Sequence, residues 1–174
     1  MRKILGFVFL FGALLALAPP SDAALTQNAV VTAQTPNNGK CTFLQGTDVA
    51  ATYKTCYTGG TNGSKIVGIW VTSNDASASH LVTVQLSTST TAHCSPTTTC
   101  LGGAAVTIPI SAGFANAVPA INMLSPTNWP GLPLDSQGNP YLFLSVATQT
   151  IEATFATSLT ASDQVSVTIM AADF

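Results

Sequence analysis

The stretch KIVGIWVTSNDASASHLVTVQL, residues 65–86, decides the fold class. Its first eight residues, Lys65 to Thr72, are apolar on both alternating faces, the pattern of a central strand covered on both sides. Trp70 falls inside this run, so core packing is its expected place. Asn74 to Ser79 is polar and reads as a loop. From His80 to Leu86 the pattern alternates, with Val82, Val84 and Leu86 on one face. Two strands joined by a polar loop, with no helical period, point to a β protein.

The same grammar extends outward in both directions. Upstream, Asn28 to Ala33, Lys40 to Leu44 and Val49 to Tyr57 read as strands, and Gly59-Gly60-Thr61-Asn62-Gly63 is a turn cluster. Downstream, residues 87–103 form a Ser/Thr/Gly-rich connection. Val106, Ile108 and Ile110 alternate, and Pro109 marks an edge strand or its end. Residues 118–140 hold five prolines, which exclude a long helix or a central strand. Ile121, Met123 and Leu124 are expected to pack beneath this loop, with Trp129 capping an edge of the core. Three strands follow: Tyr141 to Val146 (Leu142, Leu144 and Val146 inward), Ile151 to Thr157 (Ile151, Ala153 and Phe155) and Gln164 to Met170 (Val165, Val167 and Ile169). About eight short strands separated by turn signals predict an all-β, antiparallel β-sandwich, with jelly-roll connections preferred.

Composition narrows the function. Only 7% of the 174 residues are charged, five Lys and Arg against seven Asp and Glu, whereas Thr alone occurs 25 times. An ordinary soluble domain is about one quarter charged. Five basic residues cannot neutralise a run of phosphates, so nucleic acid is excluded as a partner. The outer faces of a helical bundle would need Glu and Lys that are missing here. The surface must instead be a coat of hydroxyls and amides.

Met1-Arg2-Lys3 followed by the uncharged apolar run Ile4 to Ala18, then Pro19-Pro20 and the small residues of Ser21-Asp22-Ala23, reads as a secretory signal cleaved after Ala23. The run is shorter than the roughly 20 residues that span a bilayer. Residues 24–174 are then expected to be one domain without a transmembrane helix, secreted, periplasmic or at the cell surface. Export agrees with an even cysteine count. Cys41, Cys56, Cys94 and Cys100 allow three pairings, of which the sequential one, Cys41–Cys56 and Cys94–Cys100, is preferred. No Cys-x-x-Cys spacing occurs and one adjacent histidine, His93, makes a weak zinc site, so no metal or other cofactor is expected.

Few residues could support catalysis. Ser79, His80 and Asp75 could form a Ser-His-Asp set on paper, but no Gly-x-Ser-x-Gly elbow accompanies them, and a solvated loop accounts for all three. Asp135, in Leu-Pro-Leu-Asp-Ser-Gln-Gly-Asn, resembles a fragment of a calcium loop but lacks the alternating acids, which leaves a structural turn. Asn62-Gly63-Ser64 matches a glycosylation sequon, and a hairpin turn explains it as well. Trp70, Trp129, Tyr141 and Tyr57 are the aromatic candidates for a carbohydrate platform. Trp129 is the preferred one, because its Pro-rich loop should lie at the surface. Trp129, Asp135 and Tyr141 are therefore the expected surface-contact residues.

Three longer segments carry a resemblance. They are YTGGTNGSKIVGIWVTSNDASASHLVTVQL (57–86), PAINMLSPTNWPGLPLDSQGNPYLFL (119–144) and VSVTIMAADF (165–174). In this order they resemble small β-sandwich proteins encoded in tailed-phage and prophage genomes, often near capsid genes, over roughly residues 48–174. The resemblance implies a virion accessory or surface-decoration role rather than an enzyme. The signal and the four cysteines stand outside that pattern, and no binding residue is carried over. The expected function is thus a non-enzymatic structural or interaction module that packs against a protein surface or itself. A pilin-like or adhesive subunit, with carbohydrate as a possible partner, is the alternative. A secreted hydrolase and a small outer-membrane barrel rank lower, the barrel because aromatic girdles are missing and prolines abound.

Overall fold

A computed structural model describes residues 35–90, 93–94, 100–110, 112–113, 119–159 and 163–174. The expected signal segment and the expected strand over 28–33 lie outside the described residues. Among the described residues ten strands form: β1 (Thr35–Pro36), β2 (Gly39–Leu44), β3 (Tyr53–Thr58), β4 (Ser64–Ser73), β5 (His80–Ser87), β6 (Cys100–Ile108), β7 (Ile121–Asn122), β8 (Leu142–Leu144), β9 (Thr150–Phe155) and β10 (Gln164–Asp173). The described residues contain no helix, hence none long and apolar enough to cross a membrane.

The ten strands make eight rows in two antiparallel sheets. In sheet I, β1 and β2 lie end to end along one side of β10, and β4 lies along its other side. β7 and β8 lie end to end along the far side of β4. Sheet II has the order β3-β9-β5-β6. Apart from the β5–β6 hairpin and the β7–β8 row, consecutive strands from β2 onward alternate between sheets. These are the connections of a jelly roll, and the two sheets do not close into a barrel.

The alternation read from the sequence decides which face is buried. Ile66, Ile69, Val71, Val165, Val167 and Ile169 of sheet I face Val82, Val84, Ile151, Ala153 and Phe155 of sheet II, and none is more than 1% exposed. Phe43 on β2 meets Phe155 on β9 at a ring separation of 4.9 Å, which ties the layers at one end. Cys41 on β2 is bonded to Cys56 on β3, a covalent link between the two sheets. Cys94 is bonded to Cys100 at the start of β6. The sequential pairing is the one that forms. Met123 and Leu124 are buried under the Pro-rich loop, with Ile121 and Trp129 half-buried against the same core.

Five expectations need correction. Val49 to Thr52 is not strand: Val49 is 72% exposed and Ala51 takes a positive φ of 67°, so this segment is a turn that leads into β3. β6 begins at Cys100, inside the stretch read as a connection, because its glycines and alanines pair with β5 despite carrying little apolar signal. Beyond Pro109, Ile110 lies outside β6 and is exposed. β8 ends at Leu144, which leaves Val146 outside the sheet and exposed.

Trp70 is the fifth. Between Ile66 and Ile69 the strand carries an extra residue: Met170 pairs with Gly68 while Ala171 pairs with Ile66, so Val67 bulges. A bulge resets the alternation. Ile69 and Val71 then point inward, and Trp70, 37% exposed, points out of sheet I.

Candidate functional site

The catalytic candidates come first. Asp75 and His80 do meet, with Nε2 of His80 2.9 Å from Oδ2 of Asp75, and both side chains are fully buried. The loop is therefore not solvated at these residues, contrary to expectation. Oδ1 of Asp75 accepts from the Ser77 N–H at 2.8 Å, the Ser77 hydroxyl at 2.7 Å and the Ala78 N–H at 2.9 Å. Burial pushes the Asp75 carboxyl up, but these bonds and the one to His80 outweigh it and hold it well below the usual carboxylate range. Ser79 is exposed. An imidazole sealed from solvent cannot take a proton from a substrate nucleophile. The arrangement is that of a pin closing the β4–β5 loop.

A second polar cluster escaped the sequence reading. The Tyr57 hydroxyl donates to Oδ1 of Asp173 at 2.5 Å, and Ser64 Oγ donates to the same oxygen at 2.6 Å. Asn37 Nδ2 donates to Oδ2 at 2.8 Å, and the Gly60 N–H donates to Ser64 Oγ. The cluster joins β3 of sheet II to β4 and β10 of sheet I. Burial, and then the neighbouring Asp173, push the Tyr57 phenol up to about 12. Burial opposes ionisation of Asp173, but its bonds from Ser64, Tyr57 and Asn37 prevail and lower it. Gly63 completes the turn: its φ of 97° suits glycine, and a Cβ there would lie 2.6 Å from the Leu144 carbonyl oxygen. The sequon asparagine, Asn62, uses its amide to donate to the Phe174 carbonyl at 3.2 Å.

These shifts set an acid limit. Asp75 and Asp173 ionise more readily folded than unfolded, where an aspartate titrates near about 3.9. Each therefore contributes stability that is complete above that value and is lost as pH falls through the folded one. The melting temperature is expected to be flat between about pH 5 and pH 8 with respect to these groups and to drop below about pH 4. Asp173→Asn should flatten the acid limb; an acid limb unchanged in that variant would refute the assignment.

The two sheets differ on their outer faces. Sheet II is covered by its own chain over β3 and β9: the Cys94 N–H donates to Glu152 at 3.0 Å, the Thr150 hydroxyl donates to the Ser89 carbonyl at 3.0 Å, and His93 stacks on Tyr53, while Leu81 on β5 and Leu101 on β6 stay exposed. On sheet I, the outward residues of β10 are Gln164, Ser166, Thr168, Met170 and Ala172, with no charge among them. Met170 is 46% exposed, and beside it on β4 stand Trp70 and Val67. A Cβ on Gly68 would lie 3.0 Å from Trp70 Nε1 and 3.3 Å from Met170 Sδ, so both side chains lean over this glycine. Phe143, 48% exposed, sits opposite Lys65 on β8 and packs against Tyr141 at 5.0 Å and Phe174 at 5.7 Å.

Of the three expected contact residues, two come together. Asp135 and Tyr141 line a cleft of about 290 Å³ with Lys65, Val67, Asn122, Leu124, Asn139 and Pro140. It opens where β4 lacks a neighbour between β8 (pairing at 64–66) and β7 (pairing at 70–71). Lys65 Nζ stands 5.0 Å over the Tyr141 ring. Asp135 accepts from the backbone N–H of Asn139 and Gln137 and from the Asn139 amide, and these bonds, aided by Lys65, lower its carboxyl. It is a structural turn, as expected, and one wall of the cleft as well. Trp129 is elsewhere, half-buried on the core with its backbone N–H bonded to the Ser125 carbonyl, so it is no exposed platform. Among the described residues no group of three or more His, Cys, Asp or Glu is placed to hold a metal.

No protein-family model and no curated protein matches the chain. Among solved structures it is similar to a chain of the cyanophage Pam1 capsid asymmetric unit, at 17% identity and a TM-score of 0.35, over 78% of this chain and 83% of that one.

Proposed function

We propose that this chain is a non-enzymatic, exported structural protein that assembles by packing the outer face of sheet I against a second copy of itself. The observation that supports this reading is the distribution of exposed apolar groups. Trp70, Val67, Met170 and Phe143, each more than one third exposed, gather on one sheet face, whereas on the other sheet Ser89 and Cys94 cover β9 and only Leu81 and Leu101 are comparably exposed. Contiguous apolar patches of this kind mark interaction sites. The occupant follows from charge. The outward residues of β10 are uncharged and the whole sequence carries a net charge of only −2, so repulsion between two copies is confined to Lys40 and Lys65, which flank β10 on the same face. The phage-protein resemblance of the sequence would make the setting of such assembly a virion or a cell surface.

The test is the oligomeric state of the exported protein by sedimentation equilibrium. Self-association is expected in the micromolar range and is expected to weaken by at least about tenfold, or 1.4 kcal/mol, in Met170→Glu and in Trp70→Glu. A chain that stays monomeric at high micromolar concentration, or one whose association ignores both substitutions, refutes the reading.

A further inference from the structure

We infer that the cleft between β7 and β8 binds a single sugar ring, such as the terminal residue of a neutral glycan. Its volume of about 290 Å³ stands at the lower limit of ligand pockets, roughly 300 Å³, which leaves room for one ring and not for an extended chain. The lining is mixed. Val67, Leu124, Pro140 and Tyr141 offer apolar surface of the kind that covers the C–H face of a pyranose.

The polar groups around that surface are complementary to vicinal hydroxyls. Lys65 Nζ, which stands 5.0 Å over the Tyr141 ring and whose charge reaches Asp135, makes no hydrogen bond among the described residues and brings three N–H groups. Asn122 Oδ1 is already taken by the Leu124 N–H at 3.0 Å, which leaves its amide N–H groups as donors. Asp135 Oδ2 accepts one bond, from Asn139 at 3.2 Å, and keeps capacity for another. A hydroxyl both donates and accepts, so adjacent hydroxyls can satisfy a carboxylate and an ammonium together. Other ligand classes fit worse. An apolar molecule would strand these donors without water. A small anion or cation would meet one fixed charge of each sign.

The walls are held before any ligand arrives. The 133–141 loop is closed by the bridge between Leu134 and Pro140, by the Tyr141 N–H to the Pro133 carbonyl, and by the bonds to Asp135. Asn122 is fixed from the other side by Asn128, whose amide donates to its carbonyl at 2.7 Å. Pre-ordered groups lower the entropic cost of binding.

This inference does not rest on self-assembly; because Val67 lines both the cleft and the face assigned to assembly, the titration is run on Met170→Glu beside the unsubstituted protein, and binding in Met170→Glu decides it independently. The experiment is a titration of the exported protein, followed by NMR, with methyl glycosides of glucose, galactose, mannose and N-acetylglucosamine, and with a neutral Thr/Ala peptide as a second probe. At least one glycoside is expected to give saturable shifts at Lys65, Asn122 and Tyr141 in the millimolar range. Lys65→Met and Asp135→Asn should each weaken binding tenfold or more with the rest of the spectrum unchanged, and Met170→Glu, which targets assembly, should leave it intact. Should Asp135→Asn disturb its turn, Lys65→Met on the rigid strand still decides. No saturable shift with any glycoside, binding that survives Lys65→Met, or shifts with the peptide alone would overturn the inference.

Discussion

Asp75→Ala is expected to lower the unfolding free energy by about 3 kcal/mol, because it leaves the buried His80 ring and two backbone N–H groups without their acceptor. The substitution removes more than one contact. His80 Nε2 would lose its partner in a site closed to solvent, and the Ser77 and Ala78 N–H groups would lose their acceptor. His80 already has a buried Nδ1 with no partner, so the ring would be left without any hydrogen bond. Asp75→Asn keeps the shape and an acceptor for the two amides, and should cost clearly less. Urea unfolding of both variants measures the difference. A loss below about 1 kcal/mol for Asp75→Ala would show that the pair is incidental. The same experiment bears on the enzyme alternative, because a pin that must stay buried cannot also be a working base.

Removing the Cys41–Cys56 bond by a double substitution to alanine should cost about 3 kcal/mol, the chain-entropy value for a 15-residue loop. In a domain of this size that corresponds to a fall of about 10 °C in melting temperature. The Cys94–Cys100 bond spans only six positions, so its removal should cost less, about 2 kcal/mol on the same basis. The position of the first bond reinforces the order. Both its cysteines are buried in the core, and they come from different sheets. Differential scanning calorimetry of the two double variants, against the intact protein, gives the ranking. An equal or larger loss at Cys94–Cys100 would mean that pinning the cover of sheet II matters more than stapling the sheets.

Much of the fold was legible because most strands obey a period of two. Val82 and Val84, Ile151 and Phe155, and Val165 to Ile169 all turn the expected face inward. Where reading failed, something local broke the period. The bulge at Val67 shifts half of β4 by one residue, and only Gly68, an isolated glycine inside a strand, hinted at it. That single shift moved Trp70 from expected core to exposed face. β6 was half missed because Gly102 to Ala105 pair through backbone alone, with no side-chain pattern to read. The cleft was legible at one wall only. Asp135 and Tyr141 stood out in the Pro-rich loop, but Lys65 and Asn122 join them through sheet pairing, which local sequence does not encode. The Tyr57–Ser64–Asp173 cluster was invisible for the same reason, since its members lie up to 116 positions apart.

The order of the strands also has a temporal meaning. β10 lies between β2 and β4, and β9 lies between β3 and β5, so both sheets contain a slot that only a much later piece of chain can fill. Thr42 and Ser166, which touch across one slot, are separated by 124 positions. While a ribosome is still producing the middle of the molecule, β2 to β5 exist without the partners that would hold them side by side. Such distant pairing is slow and leaves strands open in the meantime. Pairing of both sheets is therefore expected to wait until residues 150–173 have been made. In the same interval, a β9 or β10 from a neighbouring copy could enter a vacant slot.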